Sequence, residues 1–305
     1  MFRILSSMVS FQASYACSYD LSISGHLPLI TSELNSGLQY IIWISMSKYH
    51  NSLGLYDLVF KRIFSSNNAL ISSASCDSFM LYKRISEQYV NKDILENIRT
   101  LIPEVIVRKT RIEIEDKGCL KSVLQWFKKD FMQWVPKDQK CERCNLLMSF
   151  HSIKGNSWKV RNTERYKCSN CHSEHTFPRY GNIRRIAETR KGRCSEWSML
   201  FGAMLNSMSI KTRIVHDFLD HCWNESLING KWIHVDSTLD YPISFDHPYY
   251  YEQNWGKKYR YVLAFSSNNL EDVTTRYTQQ WDIVQQRRKN SSKSAEEYAA
   301  LYSEI

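Results

Sequence analysis

The sequence predicts an α+β domain: an amphipathic helix opening at Cys194, packed on an antiparallel sheet, with a four-cysteine metal knuckle inserted before it. Three observations carry that expectation. From Trp197 apolar residues recur at Leu200, Phe201, Met204, Leu205 and Met208, the spacing of a helix with one buried face. Asn229-Gly230 separates the runs 223–228 and 231–236, a strong two-residue hairpin signal. Cys141-Glu142-Arg143-Cys144 and Cys168-Ser169-Asn170-Cys171 are paired Cys-x-x-Cys knuckles.

The first hundred residues are the least patterned. Residues 1–50 read as an irregular or disordered Ser-rich segment, and 51–110 as a helical cover with patches around Tyr56 to Phe64 and Phe79 to Tyr89. A catalytic domain is expected over 111–278, including a zinc knuckle over 137–178, and a basic linker with a C-terminal helix over 279–305. Ahead of the knuckle, Leu120, Val123, Leu124, Phe127, Phe131 and Trp134 are expected on one helical face, stopped by Pro136.

Four thiolates from two tight knuckles complete a closed tetrahedral zinc site, which leaves no open position for catalysis and makes the expected ion structural. Cys141, Cys144, Cys168 and Cys171 are its ligands. His172 and His175 lie close in sequence, but four sulfurs already fill the site.

Gly192-Arg193-Cys194-Ser195-Glu196-Trp197, then Asp220-His221, then His234-Val235-Asp236 supply a nucleophile, a base and an orienter in order. A thiolate attacks, an imidazole draws off its proton, and a carboxylate fixes the imidazole tautomer. Unpaired N–H groups at the helix start lower the thiol pKa of Cys194. If Ile228 pairs with Lys231, Glu225 faces His234 and Trp223 faces Asp236. His221 then lies one diagonal step further, within reach of Asp236. One strand face would carry His221, Trp223, Glu225, Trp232, His234 and Asp236. Two tryptophans on one face also fit a simple core.

Phe177-Pro178-Arg179-Tyr180, the Cys194 block, Asp220-His221-Cys222-Trp223-Asn224-Glu225, His234-Val235-Asp236-Ser237 and Trp255-Gly256-Lys257-Lys258 together resemble the cytoplasmic peptide:N-glycanases of the transglutaminase-like superfamily, over about residues 110 to 278. The resemblance implies a papain-like core and an amidase that removes N-linked glycans from misfolded glycoproteins, turning Asn into Asp through a Cys194 thioester. It further implies that His221 and Asp236 complete the triad, and that Arg213, Trp223, Glu225 and Trp232 contact the chitobiose core. As partners it implies ubiquitin-receptor and proteasome components, and as location the cytoplasm, with the nucleus as an extension. Two departures stand out. Ser195 replaces the family's Gly, and Thr238-Leu239 replaces a Cys-Glu pair whose Glu would contact sugar, unless Asp240 substitutes.

The charge of +9, from 40 Lys+Arg against 31 Asp+Glu, keeps a rival open: a weak or inactive transglutaminase-like scaffold binding nucleic acid or protein. A thiol protease or transglutaminase is the other. An intact triad disfavours nucleic acid, and the cluster Arg287-Arg288-Lys289 reads as a solvated linker. Of the nine cysteines four are spaced for metal and one for catalysis, and Cys17, Cys76, Cys119 and Cys222 show no framework spacing, which suits a reducing compartment. The apolar run Leu38 to Met46 is far short of a membrane span, and residues 1–17 imitate a signal peptide only weakly.

Overall fold

The computed structural model describes residues 73–289 apart from 116, 117, 119 and 158. All of these fall in the second of the chain's two units, Leu70–Ile305. The expectations for residues 1–50, for Tyr56 to Phe64 and for a helix from Ser294 to Ile305 lie outside the described residues.

Helices α1 (Ser73–Gln88), α2 (Lys92–Arg99), α3 (Glu104–Glu115) and α4 (Lys121–Trp126) come first. The side chain of Asn91 caps α2 by accepting the Ile94 N–H at 3.1 Å. The sequence's division at residue 110 falls inside α3. After α4 the chain widens into a π-helical turn, Phe127–Phe131, in which Met132 N–H reaches Phe127 O at 2.8 Å. Met132 is already extended, so the helix ends there. Trp134 therefore leaves the expected helical face and enters strand β1 (Gln133–Trp134), 47% exposed.

Strands β2 (Ser149–Ser157), β3 (Val160–Lys167) and β4 (Glu174–Tyr180) form an antiparallel sheet of their own. Helix α5 (Ile183–Thr189) leads to β5 (Lys191–Gly192), which pairs in parallel with β1, and then to α6 (Cys194–Ser207). The periodic stripe is the buried face of α6: Leu200, Phe201, Met204 and Leu205 are all fully inaccessible.

The main sheet comprises β6 (Thr212–His216), β7 (Cys222–Ile228), β8 (Lys231–Val235), β9 (Leu263–Ser266) and β10 (Asn269–Asp272), in the antiparallel order β10-β9-β6-β7-β8. Ile228 pairs with Lys231 and Glu225 with His234, as the hairpin count requires, while Asn229 and Gly230 take φ of 49° and 76° in the turn. The ladder closes at Asn224 and Val235, one step before Trp223 and Asp236. Residues 259–262 precede β9, and the carbonyls of Tyr259 and Arg260 accept from the side chains of Arg287 and Arg288.

One sheet face packs on α1 and α6. The other is covered by α7 (Tyr250–Trp255), α8 (Thr274–Tyr277) and α9 (Trp281–Lys289), whose Tyr251, Tyr277 and Val284 bury Val215, Trp223 and Ala264. Helix α9 corrects the expected solvated linker. Arg288 is 6% exposed, bonded to Asp272 Oδ2 at 2.8 Å and set over the Tyr261 ring at 4.2 Å. No helix among the described residues is long and apolar enough to cross a membrane.

Candidate active site and metal centre

Cys194 is the first residue of α6, and the turn before it is tightly built. The Arg193 N–H donates to Glu196 Oε2 at 3.0 Å and Trp197 Nε1 to Gly192 O at 3.1 Å. A Cβ on Gly192 would stand 2.3 Å from the Glu196 Cβ, so only glycine lets the backbone pass.

His221 is presented by a loop organised on one carboxylate. Asp217 Oδ1 accepts the N–H groups of Leu219, Asp220 and His221 at 2.9, 3.1 and 3.0 Å. Lys257 Nζ holds Asp217 Oδ2 at 2.7 Å and also pairs with Asp220. His221 Nε2 lies 2.8 Å from Asp236 Oδ2, which leaves Nδ1 as the ring nitrogen for Cys194. Asp236 is fully buried just past the end of β8, and its Oδ1 accepts Thr238 N–H at 2.8 Å and Thr238 Oγ1 at 2.7 Å.

The thiol of Cys194 is partly exposed, with Sγ 3.7 Å from Asp220 O. Interaction with the Cys222 thiol and, against the opposing effect of burial, with the His221 imidazolium holds its pKa well below the ordinary value. Burial disfavours charge on His221, but the Asp236 carboxylate and the Cys194 sulfur outweigh it and raise His221 to about 10. For Asp236 burial pulls upward, and His221 holds the carboxyl far below the usual range all the same. The arrangement supports a thiolate–imidazolium pair backed by a buried carboxylate, the chemistry of acyl transfer through a thioester.

The four cysteines of the knuckles also converge, with sulfurs all within 4.8 Å of one another and Cys141 and Cys171 at 3.5 Å. Four sulfurs each about 2.3 Å from one zinc ion stand about 3.8 Å apart, so the set fits that ion without a histidine or carboxylate. Each knuckle closes alike: Asn145 N–H to Cys141 O at 2.8 Å, His172 N–H to Cys168 O at 3.1 Å, with φ of 56° and 55° at Asn145 and His172. His172 is thus a turn residue, and His175 stacks on Tyr166 at 4.8 Å.

Two family models match this chain: one described as "Transglutaminase-like superfamily" over residues 151–237, and one as "Rad4 transglutaminase-like domain" over 220–304. The chain carries a transglutaminase-like domain. It is similar to a Caenorhabditis elegans protein named peptide-N(4)-(N-acetyl-beta-glucosaminyl)asparagine amidase, 32% identical over 69% of this chain and 36% of that one. A Mus musculus protein of the same name is 36% identical over 59% of this chain and 28% of that one. The chain spans about a third of the length of these curated relatives. Among solved structures it is similar to Rad4-Rad23 crosslinked to an undamaged DNA, with TM-score 0.46 and 15% identity over 83% of this chain and 55% of that one.

The transglutaminase-like domain is clear, but the residues that the resemblance assigns to sugar require a correction. Trp223, Glu225 and Arg213 are 0%, 1% and 2% exposed. Trp223 is core, under Tyr251 and Tyr277. The charge of Glu225 is consumed internally, by Arg213 Nε at 2.8 Å, Arg276 Nη1 at 3.0 Å and Tyr277 OH at 2.8 Å. Trp232 is half-buried beneath the Arg213 guanidinium, 4.0 Å from its centroid. Helices α7 to α9 seal this strand face, a layer that counting along the hairpin cannot foresee. Asp240 does not turn to the site either; it pairs with Lys128 at 3.1 Å, while Leu239 packs against the core.

Ser195 has a role that strand and helix counting missed. Its Oγ accepts from Arg161 Nη2 and Arg179 Nη2, both at 2.9 Å, and donates to Glu196 Oε2 at 3.1 Å. Glu164 on β3 receives Arg193 at 2.6 and 2.8 Å and Arg179 at 3.1 Å. The start of α6 is thereby bolted to the sheet that carries the second knuckle. Asp217 and Tyr251 were also missed; an Asp four residues before the base is a legible loop signal, whereas one Tyr among Tyr249-Tyr250-Tyr251 offers none.

Proposed function

We propose that this chain is a thiol amidase that cleaves the bond between an Asn side-chain amide and the proximal GlcNAc of N-glycans on misfolded glycoproteins. The observation that carries it is the His221–Asp236 pair at 2.8 Å beside a pKa-lowered Cys194 at a helix start. Similarity to the amidases over two thirds of the chain supplies the substrate class. The Cys194 thiolate attacks the carboxamide carbon, and the oxyanion is met by the backbone N–H of Cys194 in the first turn of α6, a donor without an intrahelical acceptor. The His221 imidazolium gives its proton to the departing glycosylamine nitrogen as the C–N bond breaks. His221, now neutral, takes a proton from water; the hydroxyl adds to the thioester, and collapse returns the thiolate and leaves Asp on the peptide.

Cys141, Cys144, Cys168 and Cys171 would hold one zinc ion, whose contribution is a rigid four-thiolate clamp. The same reading places the protein in the cytoplasm, where ubiquitin-receptor and proteasome components would receive its products; Cys141, Cys144, Cys168, Cys171, Cys194 and Cys222 are free thiols, as a reducing compartment favours. Incubation of the purified chain with a denatured high-mannose glycoprotein is expected to release free glycan with Asn-to-Asp conversion, and Cys194→Ala to release none. DNA retention with no release by either form would favour the scaffold instead.

A further inference from the structure

The carboxylate that orients the base has a second buried donor outside the triad. Asp236 Oδ2, the same oxygen that meets His221, accepts the Tyr251 hydroxyl at 2.7 Å. That hydroxyl has one proton to give, so its remaining contact, His234 Nε2 at 2.7 Å, runs the other way: the imidazole donates and the phenol oxygen accepts. The direction is fixed independently at the far side of the ring, where His234 Nδ1 accepts the backbone N–H of His247 at 3.3 Å. His234 is neutral, because burial pulls it down to about 4. Tyr251, His234 and Asp236 are each 3% exposed or less, so no water can stand in for a missing member.

We infer that Tyr251, steered by His234, is a positioning residue of the thiol site: it fixes the Asp236 carboxylate in the orientation that aims His221 Nδ1 at Cys194. The chain of donors runs one way, from His247 N–H through His234 and Tyr251 to Asp236, and meets His221 from the opposite side. Without the hydroxyl, Oδ2 keeps only the His221 bond, and the carboxylate orientation is set by that bond and the two Thr238 contacts on Oδ1 alone. The Tyr251 ring also stands edge-on to His221 at 5.1 Å, so one side chain braces both members of the pair. Sequence counting gives His234 a place on the strand face but no task.

The role in turnover rests on the proposed amidase reading, so the test has one arm that does not. Alkylation of Cys194 by iodoacetamide near pH 6, where unassisted thiols are almost wholly protonated, reports the imidazole-assisted thiolate directly. Tyr251→Phe is expected to slow it several-fold, and to lower kcat on a denatured glycoprotein about tenfold with KM within about twofold, the signature of a contact that matters in the transition state. His234→Leu should do the same, while His234→Gln, whose amide can still donate to the phenol, should restore most of both rates. A folded Tyr251→Phe that alkylates like wild type overturns the inference. So does a His234→Leu with wild-type rates if Tyr251→Phe does not fold, and so does failure of both to fold, since the hydroxyl would then serve the core alone. If wild type releases no glycan, the amidase reading falls and the alkylation arm still decides this one.

Discussion

The pair at 2.8 Å between His221 and Asp236 ties stability to pH in a definite sense. His221 is raised from an ordinary value near 6.5 to about 10. Its imidazolium therefore contributes stability that is complete below about pH 6.5 and is lost progressively as pH climbs toward 10. The depressed Asp236 carboxylate acts in the opposite window: its contribution is present above about pH 4 and lost as acid protonates it. Asp236→Asn should remove the acid-side slope and lower the His221 pKa, leaving the Cys194 sulfur alone to oppose burial. Chemical denaturation of both forms at intervals from about pH 5 to 10, with an NMR titration of His221, measures this; a wild-type protein equally stable at both ends of that range contradicts it. At the same scale Lys257→Ala frees Asp217 and Asp220, and the loop that presents His221 should loosen. We expect kcat to drop about tenfold or more together with a clearly lowered melting temperature, since Asp217 is left buried without its cation, as read by steady-state kinetics and calorimetry.

Elements built on local rules were legible, and those built on buried charge were not. The α6 stripe and the Asn229-Gly230 turn follow from periodicity and turn chemistry, each contained within a dozen residues, and both stand as read. The order of Cys194, His221 and Asp236 was equally visible, because a Cys at a helix start, a His just before one strand and an Asp just after the next have positional signatures. What escaped is everything that depends on a third layer: helices α7 to α9 over the strand face, which turn Trp223 and Glu225 from ligands into core, and the arginine cluster of β3, β4 and the α6 start. That cluster predicts its own failure mode. Glu164 and Arg193 have side chains only 4% and 8% exposed and meet at 2.6 Å. Glu164→Gln should cost about 3 kcal/mol or more, since it leaves a buried guanidinium without its carboxylate. Urea denaturation tests the cost, and slowed Cys194 alkylation in the folded fraction tests whether the helix start has shifted.

On the scale of the whole molecule, part of the basic charge is spent on internal ion pairs. Arg161, Arg179, Arg193, Arg213 and Arg276 all pair with carboxylates and act as fasteners between sheets and helices. The chain of fasteners has a direction. One knuckle lies just before β2 and the other in the β3–β4 turn, so an ion on the four sulfurs clamps the one end of that small sheet where Ser149, Lys167 and Glu174 are paired. The sheet in turn grips the start of α6 through Glu164 with Arg193 and through Arg161 and Arg179 with Ser195 and Glu196. Metal removal is therefore expected to act at a distance. A chelator strong enough to strip four thiolates should lower the melting temperature by several degrees and slow Cys194 alkylation, although no zinc ligand touches that thiol. Cys144→Ser should reproduce both effects without chelator, and readdition of zinc should reverse them only in the unsubstituted chain. Metal analysis that finds no zinc in the purified protein, or a melting curve indifferent to chelation, would remove the clamp from this account.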